Sequence, residues 1–261
     1  MTTTAMTVLG FCIIFIATTA GAALVFFFKG EMSGKLNTLF LGFASGVMVA
    51  ASVWSLLIPS IEGAEGTYGS LSFLPAVIGF LLGGAFLVLI DKLVPHLQKG
   101  TNEEEGLKSR LNKPAKLFLA VTIHNIPEGL AVGFVFGAAA AVGEYAAFVS
   151  ALALAVGMAI QNFPEGFCLA YPLNKHGFSK SRSFILSVLS GAVEIPCAML
   201  GAVLFSGGGY MAFALAFAAG AMTAVTVTEL IADAFGKRDS LTLFSFSVGF
   251  CVIMLLDLLF A

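Results

Sequence analysis

The sequence has very little charge for its length. Only 11% of its 261 residues are Asp, Glu, Lys or Arg, whereas 59% are hydrophobic and the mean hydropathy is +0.99. Soluble globular domains carry roughly 25% charged residues, so this composition excludes that class. Because about 20 apolar residues are needed for each crossing of a bilayer, it predicts a membrane protein with several crossings.

Several functional signatures are also missing. Cys12, Cys168, Cys197 and Cys251 form no CxxC pair, which argues against a disulfide framework and a structural zinc site. The HExxH motif of metal-dependent hydrolases is absent, which argues against an intramembrane enzyme of that kind. We therefore expect that the protein is not an enzyme. The sequence contains no basic patch with interspersed aromatic residues, so we do not expect nucleic acid as a partner. Met1–Gly10 has no Lys or Arg before the first apolar run, so a cleaved secretory signal is not expected.

Long apolar segments divide the chain into an all-α polytopic membrane protein, because helices are the open-ended elements that can cross lipid. We predict eight transmembrane helices, at residues 6–28, 37–61, 71–94, 116–139, 145–172, 182–205, 210–235 and 240–260. The only long connection, about 96–114, is rich in charge and is predicted to be a solvated loop. Little chain remains outside these segments, so residues 1–261 are expected to form a single transmembrane domain.

The basic residues predict the orientation of these helices. All 13 Lys and Arg lie in or beside the first, third, fifth and seventh connections. By the positive-inside rule these connections, including loop 96–114, are cytoplasmic, and both termini are outside the cytoplasm. With one helix more or fewer, the basic residues would be distributed over both sides of the membrane. Their confinement to the odd-numbered connections therefore also favours eight helices.

An internal repeat links the second and seventh segments. Leu41–Met48 matches Leu215–Met222 in register, and the two segments cross the bilayer in opposite directions. This pattern is typical of an inverted-topology repeat, whose substrate site lies near the bilayer midplane. We therefore predict that helices 1–3 repeat helices 6–8, and that helices 4 and 5 are paired.

The paired segments carry a duplicated polar motif. The sequence HNIPEG at 124–129 recurs as QNFPEG at 161–166. Residues four apart share one face of a helix, so each motif presents its first residue and its carboxylate together. The motif residues are His124, Asn125 and Glu128 in the fourth segment, and Gln161, Asn162 and Glu165 in the fifth. Pro127 and Pro164 cannot donate a helical hydrogen bond, which frees the carbonyls of Ile123 and Ile160.

A third membrane carboxylate, Glu194, lies beside Pro196 in the sixth segment. One charge near the bilayer centre costs about 2.5–3.5 kcal/mol on insertion scales, and no Lys or Arg is available within the spans to neutralise three of them. Protons or a bound cation remain. Imidazole, carboxylate and amide groups together suit a divalent transition metal, with zinc, iron, manganese, cobalt and cadmium all open. The alternative is that the carboxylates are protonated and structural, or that they carry protons alone.

On these motifs, at 124–129 and 161–166 together with Glu194, the sequence resembles the ZIP (Zrt/Irt-like) family of divalent metal transporters, in particular its bacterial GufA-like branch. The resemblance covers nearly the whole chain. It implies a transporter that imports metal towards the cytosol, a binuclear or dual-position site at mid-membrane, and a homodimer. The ligands that it implies are His124, Asn125, Glu128, Gln161, Asn162, Glu165, Glu194 and, from the second segment, Met48.

Two features depart from this family. Many members have His where this chain has Gln161, so the site is poorer in nitrogen and a broader metal specificity is plausible. The third connection often carries a His-rich tract in the family, whereas only His96 lies near it here.

The resulting expectation is a multi-pass importer of zinc, and of related divalent metals, in the plasma (inner) membrane. A passive metal-ion channel, or a proton-coupled transporter of another cation, is the alternative.

Overall fold

The computed structural model describes residues 1–27, 33–97, 104–105, 111–204, 210–235 and 240–260. Within these ranges it contains eight helices that are long and apolar enough to cross a bilayer, which confirms the predicted number. Several predicted connections lie outside the described residues. These are Lys29 to Glu31, the central part of loop 96–114, Gly207 to Gly209, and Gly236 to Asp239.

We number the transmembrane helices α1 to α8. Four of them are single α-helical segments: α3 is Phe73–Leu93, α4 is Lys113–Val142, α5 is Tyr145–Lys175 and α8 is Ser240–Phe260. Helix α1 is Thr3–Ala23 followed by a 3-10 turn at Leu24–Phe26. The other three are each built from consecutive segments: α2 from Gly34–Ala50, Ala51–Leu57 and Ile58–Tyr68; α6 from Lys180–Gly191 and Glu194–Leu204; and α7 from Met211–Val225, Thr226–Ile231 and Ala232–Phe235.

Polar side chains cap the N-termini of four of these helices. The side chains of Thr2, Ser33, Asn112 and Ser179 each accept a hydrogen bond from a backbone N–H in the first turn. The first N–H groups of a helix have no partner within the helix, and a short polar side chain satisfies one of them. The caps therefore explain why these helices begin just before their apolar runs.

The second helix is longer than predicted. The apolar pattern predicts an end at residue 61, but α-helix continues through Ile58–Tyr68 and ends at Gly69, whose φ is +53°. Helical hydrogen bonds do not require apolar side chains, so the helix continues beyond the apolar run through a segment that contains Glu62 and Glu65. Gly69 ends it because this backbone conformation carries a steric penalty for other residues.

The loop predicted at 96–114 is partly regular. His96–Leu97 pairs with Glu104–Glu105 in a short antiparallel ladder, and α4 begins within the predicted loop, at Lys113. Pro114 lies in the first turn of α4, where its missing N–H removes no helical hydrogen bond. Among the residues described here, the loop is thus shorter than the charge pattern predicts.

Two helices contain π-helical segments, at Ala51–Leu57 in α2 and at Thr226–Ile231 in α7. In the register of the sequence repeat, Ala51–Leu57 corresponds to residues 225–231, so the two segments occupy matching positions. π-helical turns are rare in proteins, and those that occur are often found at functional sites. Before its π segment α2 packs on α8, and after it the Ser60 hydroxyl donates to the carbonyl of Ala212 in α7, at 2.6 Å.

The eight helices pack as two groups of four. In one group α1 packs on α5 and α4 on α6; in the other α2 packs on α8 and α3 on α7. The groups meet mainly where α4 contacts α7 and where α5 contacts α2 and α8. Both motif-bearing helices therefore lie along the boundary between the groups.

Matching glycines make matching contacts in the group that contains α2 and α7. A Cβ atom at Gly46 would overlap the carbonyl of Phe246 in α8, and one at Gly220 would overlap the carbonyl of Phe80 in α3. Gly46 and Gly220 hold the same position in the sequence repeat. The inverted relation between helices 1–3 and 6–8 stays a prediction, and these paired contacts support it. Small residues at such positions let membrane helices approach closely.

The close approach of α3 to α7 generates a stability prediction. We expect Gly83→Ala to lower the free energy of unfolding by about 1–3 kcal/mol, as overpacking does, because its Cβ would overlap the carbonyl of Phe217. The matched control is Gly84→Ala, since a Cβ at Gly84 meets nothing within 4 Å. Thermal unfolding of the two purified variants in detergent measures the difference. Equal melting temperatures would contradict the packing described here.

Candidate metal site

The two motifs lie in the interior of α4 and α5, and both helices continue through their internal prolines, Pro127 and Pro164. The six polar motif residues are buried: His124, Asn125, Glu128, Gln161, Asn162 and Glu165. Polar side chains inside a membrane span are costly to bury. Their shared burial on two adjacent helices places the duplicated motif inside the protein and away from lipid.

The third carboxylate lies at a break in α6. The helix is interrupted at Ala192 and Val193, and Glu194 is the first residue of its second segment. The predicted sixth span is thus present at Lys180–Leu204, with a local interruption that its apolar pattern does not indicate. Pro196 lacks an N–H and so does not extend the hydrogen bonding of the preceding turn. Glu194 is fully buried and directly follows this break.

Helix α6 connects the two motifs. Asn125 Nδ2 of α4 donates to the carbonyl oxygen of Ser190 at 3.0 Å, and Asn162 Nδ2 of α5 donates to Glu194 Oε2 at 2.9 Å. Ser190 and Glu194 are only four residues apart. The structure therefore brings the motif of α4, the motif of α5 and the carboxylate of α6 to one stretch of α6.

A glycine permits this convergence. A Cβ atom at Gly129, the last residue of the first motif, would lie 2.5 Å from the carbonyl oxygen of Glu194 and 2.9 Å from Cβ of Cys197. Only a residue without a side chain fits this space. The glycine that follows Glu128 thus holds α4 directly against the break in α6.

Two carboxylates of the site interact electrostatically. Glu165 lies close enough to Glu194 for its charge to act on it, and Glu194 is removed from solvent on all sides. Two neighbouring carboxylates in a buried site cannot both be ionised without compensation. A proton or a bound cation between α5 and α6 would provide it.

The amide groups are oriented by their neighbours. Because a carbonyl only accepts hydrogen bonds, its contact with Asn125 Nδ2 turns Asn125 Oδ1 away from Ser190. In the second motif, Gln161 Nε2 donates to Asn162 Oδ1 at 2.6 Å. Among the described residues, Asn125 Oδ1 and Gln161 Oε1 are buried and accept no hydrogen bond. Buried acceptors of this kind normally have a partner, and a cation would supply one.

Other predicted ligands are not assembled into a metal cage. Within the described part of the chain, no group of three or more His, Cys, Asp and Glu side chains is arranged to hold a metal ion. Asn162 Oδ1 is occupied by Gln161, and Met48 lies on α2, where its Sδ accepts from Thr226 Oγ1 at 3.5 Å. The arrangement therefore combines carboxylates with amide oxygens, and a bound ion would require some side chains to turn.

Three hydroxyl groups at this site were not predicted from the sequence. Asn125 Nδ2 lies 3.5 Å from the Ser190 hydroxyl, Ser187 donates to the carbonyl of Gly166 at 2.8 Å, and Thr18 Oγ1 of α1 lies 3.5 Å from Glu194 Oε1. Ser187, Ser190 and Glu194 follow a helical spacing within an apolar segment, and this polar row could have indicated the two serines. Thr18 offers no such signal, because its neighbours in the sequence contain no motif.

The chain is similar to known zinc transporters along most of its length. The family model described as the ZIP zinc transporter matches residues 101–257. The zinc transporter ZIP11 of Homo sapiens is 35% identical over 92% of this chain and 93% of its own length. The zinc transporter GufA of Myxococcus xanthus is 32% identical over 87% and 89%, and the zinc transporter ZIPB of Bordetella bronchiseptica is 32% identical over 96% and 80%.

In the described ranges of the chain, eight helices long and apolar enough to cross a bilayer enclose a buried, duplicated polar motif, and these features define a multi-pass membrane protein. Within that class, the chain belongs to the ZIP zinc transporter family, as the motifs predict. Its relatives include the GufA protein, in agreement with the expected branch. Proteins of this family are transporters rather than enzymes, and the chemistry to explain is the passage of a divalent metal ion.

The bond from Asn162 to Glu194 predicts a loss of stability when it is removed. We expect Asn162→Leu to lower the melting temperature of the metal-free protein, because a buried acceptor left without its donor costs about 1–3 kcal/mol. Ser247→Ala is the control, since the exposed Ser247 hydroxyl bonds to the carbonyl of Leu243 in its own helix, away from the motifs. Melting curves in a metal chelator measure both variants. A melting temperature for Asn162→Leu equal to that of the control would contradict the contact.

Proposed function

We propose that this protein imports a divalent transition metal, with zinc as its main substrate, through a site between α4, α5 and α6. The observation that carries the proposal is the pair of buried amide oxygens, Asn125 Oδ1 and Gln161 Oε1, that accept no hydrogen bond among the described residues. Each belongs to a motif that also contains a buried carboxylate, Glu128 or Glu165. Oxygen atoms of this kind, placed beside carboxylates, attract a cation.

The proposed ligands come from four helices. They are His124, Asn125 and Glu128 of α4, Gln161, Asn162 and Glu165 of α5, Glu194 of α6, and Met48 of α2. The contacts of Asn125 and Asn162 with α6 support two adjoining positions, one nearer to each motif. For Asn162 to bind through its oxygen, its bond with Gln161 must open, which couples the second ligand set to the arrival of the ion.

The chemistry of this ligand set supports a transition metal. A single imidazole with carboxylates, amides and a thioether suits zinc, iron(II), manganese, cobalt and cadmium better than magnesium, which gains little from nitrogen or sulfur. Relatives named as zinc transporters favour zinc among these metals. The amide at Gln161 leaves the site poorer in nitrogen than one with a second imidazole, which broadens its selectivity.

The charge distribution of the sequence supports an orientation and a direction of transport for this proposal. The basic residues of the odd connections favour a cytoplasmic position for those connections, with both termini outside. In an inner membrane with a negative interior, a doubly charged cation is drawn inwards by about 2.3 kcal/mol per charge per 100 mV. We propose a single transmembrane transporter domain in the plasma membrane, acting as a homodimer.

Zinc uptake into proteoliposomes tests the proposal. We expect saturable uptake of radioactive zinc by the wild-type protein and a loss of at least about tenfold in Glu165→Gln, because a charged ligand of the ion is removed. The control is Glu144→Gln, an exposed carboxylate just before α5 that lies away from the site. Both variants keep the size of the side chain and change only its charge.

The outcomes separate the proposal from its alternatives. If Glu165→Gln transports zinc like Glu144→Gln, the motifs are not the transport site and the carboxylates are structural. If uptake rises linearly with zinc concentration and depends weakly on temperature, the protein is a passive channel. If no divalent metal enters but protons or another cation do, the substrate proposed here is wrong.

Selectivity gives a second test at one residue. We expect Gln161→His to strengthen the preference for zinc over manganese, because imidazole is a better ligand for zinc than an amide oxygen is. The measurement is competition of manganese, iron(II), cobalt, cadmium and magnesium against radioactive zinc uptake in both proteins. An unchanged order and strength of competition would mean that Gln161 does not contact the ion.

A further inference from the structure

One hydroxyl group of α1 reaches the metal site. Thr18, in the interior of α1, is only 3% exposed, and its Oγ1 lies 3.5 Å from Glu194 Oε1. The same hydroxyl lies 3.2 Å from the carbonyl oxygen of Ile14. A hydroxyl has one proton to donate, so Thr18 can serve either acceptor without losing a hydrogen bond.

The backbone around Thr18 is held firmly against two other helices. A Cβ atom at Gly166 of α5 would overlap the carbonyl of Thr18, and one at Gly191 of α6 would lie 2.7 Å from Thr18 Cγ2. Gly166 ends the second motif, and Gly191 immediately precedes the break before Glu194. Thr18 is therefore fixed at the point where α1, α5 and α6 meet.

Each oxygen of Glu194 therefore has a donor group of another helix within reach: the Thr18 hydroxyl at Oε1, when its proton is turned away from Ile14, and Asn162 Nδ2 at Oε2. Each carboxylate oxygen has more than one lone pair, so a bound ion and these donors can share the group. We infer that Thr18 is a positioning residue of the metal site, whose hydroxyl holds the Glu194 carboxylate in the orientation that receives the divalent cation. This inference rests on the proposed function and adds α1 to the site.

Such a role has a known scale. Groups that hydrogen-bond a metal-binding carboxylate orient it, and their loss typically weakens metal binding about 10–100-fold. The Ile14 carbonyl gives Thr18 a second acceptor, so the hydroxyl stays satisfied if the ion draws Oε1 away. Helix α1 thus contributes to affinity although it provides no ligand.

Direct zinc binding to the purified full-length protein tests this role. Isothermal titration with zinc in detergent gives the dissociation constant and the stoichiometry separately. We expect Thr18→Val, which keeps the shape and removes the hydroxyl, to raise the dissociation constant about tenfold at unchanged stoichiometry. Thr18→Ser, which keeps the hydroxyl, should stay close to wild type. If Thr18→Val does not fold, Thr18→Ala removes the same hydroxyl from a smaller side chain.

Thr7→Val is the matched control. Thr7 lies on the same helix and its Oγ1 bonds to the carbonyl of Thr3, four residues earlier, at 3.1 Å. It loses the same kind of local bond as Thr18→Val but leaves Glu194 untouched. We expect its dissociation constant to match that of wild type.

Each remaining outcome has a definite meaning. An unchanged dissociation constant in Thr18→Val, or an equal loss in Thr18→Ser, would overturn the positioning role. Lower stoichiometry at an unchanged dissociation constant would show that Thr18 affects only folding, which also overturns it. A wild-type protein that binds no zinc would contradict the proposed function itself, whereas wild-type binding with an unaffected Thr18→Val would contradict the role of Thr18 alone.

Discussion

Three buried carboxylates inside apolar helices impose the constraint on which the rest of this structure depends. Glu128, Glu165 and Glu194 cannot be left without compensation in a span. At Glu194 the protein provides an amide and a hydroxyl from neighbouring helices, and it has glycines where those helices approach one another. Asn162 and Thr18 reach Glu194 because α1 meets the backbone of α5 at Gly166 and packs the Thr18 side chain against Gly191 of α6. The close packing of these helices and the hydrogen bonds to Glu194 therefore depend on each other.

The sequence predicts the parts of this arrangement that depend on composition and spacing. Apolar length gives eight helices, and the repeated HNIPEG and QNFPEG motifs identify the buried polar residues. It does not predict the extension of α2 through Tyr68 or the break before Glu194, because helical hydrogen bonds are indifferent to hydropathy. Nor does it predict the contact of Thr18, since α1 and α6 are 176 positions apart at that point and only folding brings them together.

The division into two groups of helices also has a physical basis. Within each group, glycines let backbones touch, as Gly166 does with α1 and Gly220 with α3. Between the groups, where α5 faces α8, the close neighbour of Gly157 is the side chain of Ile253. A side chain can adopt another rotamer, whereas a backbone carbonyl cannot move without its helix. The motifs thus lie along the more adaptable of the two kinds of boundary.

The π segment of α2 determines which helices α2 can contact. A π turn holds more residues than an α turn, so the side chains beyond Ala51–Leu57 face a different direction from those before it. Gly42 and Gly46 meet α8, whereas Ser60 bonds to α7. A single-residue deletion there would barely change the hydropathy of the span, and the bilayer would still accept it. With one residue fewer, α2 could not contact both α8 and α7 in the present way. The number of residues in α2 is therefore constrained more tightly than its amino-acid composition.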